Sequence, residues 1–167
     1  MRRLIHRHQP SSPAAAALKA GLGGVLGIAL VAWLSHQSGV VWLMAPLGAT
    51  CVLLFSAPGS PFSQPANVVG GHVLSTLIGL AVASVAPTEW WSLGLAVGLA
   101  IAAMHLLRLT HPPAGADPIV VLLAHPGWSF VVFPVLAGSV ALVLCALTLH
   151  HLPPRTAYPL PVPKPAS

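Results

Sequence analysis

Long apolar runs separated by short clusters of Pro, Gly, His and Trp set the pattern of this chain. Leu18–Ser35 is apolar apart from Lys19 at its start, and at 1.5 Å per residue its 18 residues are just long enough to cross a hydrocarbon core of roughly 30 Å. The turn His36-Gln37-Ser38-Gly39 leads to Val40–Ala57, a second apolar segment interrupted by Pro46 and Gly48. Three prolines in Pro58–Pro65 exclude a continuing helix there. Asn67–Ala86 is the third segment, with Asn67 expected as its N-cap. The turn around Glu89-Trp90-Trp91 suits a membrane–water interface, and Trp91–Leu107 follows as the fourth. A polar stretch from Arg108 to Pro118, a short run Ile119–Ala124, a turn at Pro126-Gly127 and a last span Ser129–Leu149 complete the pattern. The pattern predicts an all-α membrane bundle of about six hydrophobic segments, four long spans plus two broken by Pro and Gly. Residues 1–17 form a basic arm, 18–149 the transmembrane domain, and 150–167 a Pro-rich tail expected to be irregular or disordered.

Composition strengthens the membrane reading. Of 167 residues 56% are apolar and 5% charged, against about 25% charged in soluble domains, so lipid must cover most of the exterior. The formal net charge of +5 does not indicate nucleic acid. Arg2, Arg3, Arg7 and Lys19 precede or open the first segment, and Arg155 and Lys164 follow the last, which is how basic residues hold membrane termini on the cytoplasmic side. With six crossings Arg108 also falls inside and Glu89 outside; with four, Arg108 would lie outside. Six fits better, with both termini cytoplasmic. Cys51 and Cys145 sit in apolar runs as small buried side chains. The basic start resembles the opening of a signal peptide, but the further apolar segments favour an uncleaved first helix.

The two halves share a short repeat. Pro46-Leu47-Gly48-Ala49 matches Pro113-Ala114-Gly115-Ala116, and each half reads as helix, broken helix, helix. Three crossings per half would make the halves an inverted repeat, an arrangement common in secondary transporters. Small residues at four-residue spacing, Gly23/Gly27, Gly71/Ser75/Gly79 and Gly94/Gly98, predict faces where helices approach closely.

The polar stretch Thr110-His111-Pro112-Pro113-Ala114-Gly115-Ala116-Asp117-Pro118 is the place for chemistry. Its prolines and glycine cannot lie in a straight helix, and irregular backbone at membrane depth must be buried in protein or line a wet cavity. Helix starts after such breaks point N–H groups and partial positive charge inward, which favours a small anion; Pro46–Thr50 offers a second such start. Asp117 and Glu89 are the only acids, too few for an ordinary cation pathway. Arg108 and Asp117 bracket the motif; Arg108 is expected to pair with Asp117, to meet substrate directly, or to snorkel to the cytoplasmic interface. His72, His105 and His111 lie in or near apolar segments, where ionisable groups suggest function and imidazoles can carry protons; for His72 a hydrogen-bonded core role competes. No His pair has metal-ligand spacing, and no nucleophile–base or nucleotide-binding motif is present, so neither enzyme nor cofactor is expected.

This string, with Ala45–Thr50 and the Ser63-Gln64-Pro65 loop, resembles the HPP family of integral membrane proteins, named for the motif that here is His111-Pro112-Pro113. The resemblance runs from about Leu18 to Leu149. Members are usually described with four membrane helices, from which the six-segment count departs. Plant plastid relatives are associated with nitrite transport, so the resemblance implies a transporter or channel for a small inorganic anion, nitrite first. The expected site comprises His111, Arg108 and Asp117, with Gly115, Pro46 and Gly48 shaping the backbone and His72 nearby. The expected partners are the bilayer, the anion and a second copy of the chain, in a bacterial inner membrane; the rival is a non-transporting scaffold or sensor subunit.

Overall fold

A computed structural model describes residues 5–39 and 42–162. Arg2, Arg3, Lys164 and the expected segment start at Val40 lie outside the described residues. The chain forms helices α1 (Ala14–Ser38), α2 (Ala45–Ser56), α3 (Pro65–Val85), α4 (Trp90–Leu106), α5 (Asp117–Ala124) and α6 (Ala137–His151), with no strand among the described residues. The order is long helix, short helix, long helix in each half.

Local chemistry explains the boundaries. Gly39 closes α1 in the left-handed conformation, φ 68°, its N–H bonding to Ser35 O. Pro46 lies in the first turn of α2 and Pro65 in that of α3, positions where a missing N–H costs nothing. Gln64, not Asn67, is therefore the N-cap of α3; Asn67 instead donates its side-chain amide to Thr110 O at 3.0 Å. Glu89 and Ser92 form a capping box on α4. Residues Trp128–Leu136 precede α6 as irregular helical turns with an extended Phe133.

Three helical stretches are long and apolar enough to cross a membrane: Ala14–Ser38, Pro65–Val85 and Trp128–His151. The expected fourth span is present as α4 with the expected 17 residues, which leaves it shorter than those three. The second segment shrinks to the 12 residues of α2, roughly 18 Å of helix, because Trp42–Met44 is not helical and Met44 is extended as the N-cap.

Successive helices nevertheless run between the same two ends of the bundle. At one end lie the start of α1, the finish of α2 (Leu54 O accepts from His150 Nε2) and the finish of α6. There too the start of α3 meets the finish of α4, where Asn67 reaches Thr110 O. At the other, Trp42 N donates to Ser35 Oγ and Thr88 Oγ1 to Leu122 O, joining α1 to the start of α2 and α5 to the α3–α4 turn. Lys19, Arg108 and Arg155 share the first end and Glu89 the second. The tail is not loose: Lys19 Nζ donates to Leu152 O and Pro154 O, and buried Tyr158 donates to Ser63 O at 3.0 Å.

Large apolar side chains face outward, among them Leu18, Val25, Trp33, Val85 and Leu106, while Thr50, His72, Ser75, Thr76, His111 and Asp117 are buried. The buried polar set lies beside a hydrophobic cluster around Leu47, Leu54, Val135 and Leu142, and the apolar exterior is what a lipid-facing bundle presents. The glycine faces sort into two kinds. A Cβ on Gly23 would meet Phe55 at 2.5 Å, one on Gly71 would meet His111 Cβ at 2.7 Å, and one on Gly79 would meet Pro118 Cα at 2.9 Å. Gly94 and Gly98 face open space, so their predicted close contact is not made within this chain.

Candidate functional site

The small-residue face of α3 lets the His-Pro-Pro segment pack directly on it. Ser75 Oγ donates to Ala114 O at 2.6 Å, tying α3 to the turn Pro112–Ala116 that leads into α5. This close approach brings four side chains, each with 0% exposure, into one line: Asp117, His72, Thr50 and His111. His72 Nδ1 lies 2.7 Å from Asp117 Oδ2, and His72 Nε2 lies 2.7 Å from Thr50 Oγ1. The same hydroxyl lies 2.9 Å from His111 Nε2, and His111 Nδ1 lies 2.7 Å from Phe62 O. Thr76 Oγ1 approaches Asp117 Oδ2 at 3.5 Å; the other carboxylate oxygen is buried without a partner.

Proton positions follow from the partners. A carbonyl only accepts, so His111 Nδ1–H donates to Phe62 O, and His72 Nδ1–H donates to the Asp117 carboxylate. If both rings were otherwise neutral, two lone pairs would converge on Thr50, whose single proton can go to one of them or to Pro46 O at 3.1 Å. One additional proton on either Nε2 would complete the hydrogen bonds of the line. When it sits on His72, Thr50 donates to His111; when it sits on His111, Thr50 donates to His72. The two arrangements would interconvert by His111 Nε2 passing its proton to Thr50 oxygen and Thr50 passing its own to His72 Nε2. Either way imidazolium and carboxylate cancel, which keeps the buried set neutral.

Thr50 was not singled out in the sequence, although a signal existed. Thr50 follows Pro46–Ala49 as Asp117 follows Pro113–Ala116, so the two bonding partners of His72 are equivalent positions of the short repeat. Both tetrapeptides also line one cavity of about 620 Å³, through Pro46, Ala49, Pro113 and Ala116. Gly115 borders a second cavity of about 330 Å³ with Met104, His105 and Thr110.

Three expectations change. Arg108 does not pair with Asp117. It is exposed and takes φ 59°, ending α4 in a Schellman turn where Leu109 N bonds Met104 O and Arg108 N bonds His105 O; Asp117 has His72 instead. Gly48, two residues before Thr50, lies on another side of α2, bordering a cavity beside Gly24 of α1. The positive start of α5 is met by the chain's own Asp117. Among the described residues no group of three or more His, Cys, Asp or Glu is placed to hold a metal ion.

A family model described as "HPP, transmembrane region" matches residues 9–159. Two curated transmembrane proteins of Dictyostelium discoideum are similar to this chain. One is 34% identical over 152 residues, covering 83% of this chain and 49% of its own length. The other is 32% identical over 152 residues, covering 84% and 53%. The chain thus spans about half the length of the curated relatives it matches. No solved structure matches it.

Proposed function

The chain belongs to the HPP transmembrane family, and from that premise we propose that it is a proton-coupled transporter of a small inorganic anion, nitrite being the leading candidate. The observation that carries this reading is the buried line from Asp117 through His72 and Thr50 to His111. Ionisable groups are costly inside a membrane bundle and mark ion or proton pathways by default. The line is neutral with its one additional proton. A second proton would leave it with a net positive charge in a low-dielectric interior, and an anion arriving with that proton restores neutrality. A symported proton and anion are therefore the pair this site accepts best. The nitrite assignment rests on the resemblance to plant plastid relatives.

In this reading Thr50, His72, His111 and Asp117 handle the proton, while Pro46 and Gly115 border the cavities through which the anion approaches. Arg108, exposed at the end of the bundle, attracts anions to the entrance. Six passages place Lys19, Arg108 and Arg155 together on the cytoplasmic side and Glu89 opposite, as the positive-inside rule requires. The halves are then an inverted repeat.

Purified protein in liposomes should take up nitrite, and an inward proton gradient should raise the initial rate severalfold. No protein-dependent uptake of nitrite or of other small anions would leave the scaffold reading. Thr50→Ser keeps the shared hydroxyl and should keep gradient-driven uptake within about threefold. Thr50→Val matches the shape without the hydroxyl and should lower it by about a hundredfold, the scale of losing a positioned proton-transfer group. Equal rates in the two variants would remove Thr50 from the pathway.

A further inference from the structure

A separate cavity of about 360 Å³ opens at the end of the bundle where α1 starts and α6 finishes, lined by Ser12, Ala16, Lys19, Ser56, His150 and Thr156 among others. Its charge is unbalanced. The chain has two acids; Asp117 is bound to His72 and Glu89 caps α4 at the opposite end, so no side chain neutralises Lys19. Lys19 Nζ donates to Leu152 O at 2.8 Å and Pro154 O at 2.6 Å, which leaves its third proton and its charge available. The start of α1, a helix end of positive sign with no side-chain cap, borders the same space through Ser12 and Ala16.

His150 adds a feature of opposite kind. It is 3% exposed, and its Nε2–H donates to Leu54 O at 2.8 Å. Its Nδ1 is then a lone pair, buried and without a partner in the fold, on a ring that borders this cavity. The cavity therefore offers a cation, hydroxyl donors and one acceptor that seeks a donor.

We propose that this cavity binds a phosphate group with an adjoining hydroxyl, the phosphate oxygens on Lys19 and the hydroxyls of Ser12 and Thr156, the ligand hydroxyl donating to His150 Nδ1. A phosphoglycerol lipid headgroup and a free phosphate ester share this chemistry. The cavity lies where the apolar helices end, the level of lipid headgroups. At this size it accommodates a small polar ligand.

The test is thermal unfolding of the full chain in nanodiscs of phosphatidylcholine with and without 20% phosphatidylglycerol. Phosphatidylglycerol should raise the melting temperature by roughly 3–6 °C, the shift expected when a ligand well above its dissociation constant binds only the folded state. Phosphatidylmethanol, which keeps the charge but lacks the hydroxyls, should give about half that rise; an equal rise would overturn the role of His150. Lys19→Gln should abolish the effect. Ala16→Phe fills the cavity and leaves the Lys19 contacts in place, so it decides the matter if Lys19→Gln does not fold. The same rise from inorganic phosphate or glycerol phosphate in plain phosphatidylcholine would assign the site to soluble phosphates. No rise from either source, or a full rise in Ala16→Phe, would overturn the proposal. The readout involves no transport, so it stands or falls apart from the function proposed above.

Discussion

Replacing Asp117 by Asn is expected to lower gradient-driven anion uptake by at least about a hundredfold while leaving the protein folded, because the substitution removes charge and keeps shape. An Asn carbonyl at the Oδ2 position still accepts from His72 Nδ1–H, now 2.7 Å from that oxygen, so the packing of α3 against the start of α5 survives. What disappears is the negative charge that cancels the additional proton. Without it the proton is an isolated cation in the bundle interior, where it costs several kcal/mol, and the line gives it up. Thr50 is then left between two unprotonated nitrogens, and transfer between His111 and His72 stops. The same reasoning predicts a similar loss for His72→Gln, since no side chain but His offers a protonatable nitrogen to each neighbour. The experiment is nitrite uptake into liposomes with an imposed proton gradient, together with a pH-sensitive dye inside. Asp117→Asn protein that is monodisperse in detergent yet takes up nitrite and protons at near wild-type rates would show that the line is a structural cross-link.

The second large effect is on stability, at Gly71. A Cβ there would stand 2.7 Å from His111 Cβ and 3.0 Å from Leu109 O. Neither is the movable end of a flexible side chain, so α3 and the His-Pro-Pro segment must separate. Gly71→Ala should cost about 1–3 kcal/mol, the ordinary range for overpacking, and Gly71→Val more. Gly94 supplies the contrast. It is in the middle of α4 with nothing within 4 Å of an added Cβ, so Gly94→Ala should be neutral or stabilising by up to about 1 kcal/mol. Thermal unfolding of the variants in one detergent measures both. If Gly71→Ala melts with or above wild type, the close approach of α3 to His111 is not what holds the site together.

The glycines show what a one-dimensional pattern can and cannot carry. Gly71, Ser75 and Gly79 have the spacing of a packed face and are one; Gly94 and Gly98 have the same spacing and face open space. Spacing establishes that residues share a side of a helix, whereas the presence of a neighbour depends on where the other helices lie. Arg108 makes the same point for charge. Its place between an apolar run and a Pro-rich motif suggested a buried pair with Asp117, but helix termination needed a left-handed residue there, and backbone geometry took the side chain outward.

The sequence by itself determined the class of molecule, because 56% apolar residues and 5% charged ones leave no other way to cover the surface. It also determined most of the breaks, since prolines at 46, 58, 61, 65, 112, 113, 118 and 126 forbid continuous helix wherever the chain lies in space. The exception is the expected last span Ser129–Leu149, which the structure interrupts at the extended Phe133 before Pro134. The element order follows from those two facts. The tertiary structure alone decided the partners. His72 meets Thr50 across 22 residues of chain and Asp117 across 45, and Thr50 meets His111 across 61. Hydrogen bonds at such separations depend on how three helices pack, and no local periodicity encodes them. A polar residue in an apolar run announces that it needs a partner; which one it finds is settled by packing.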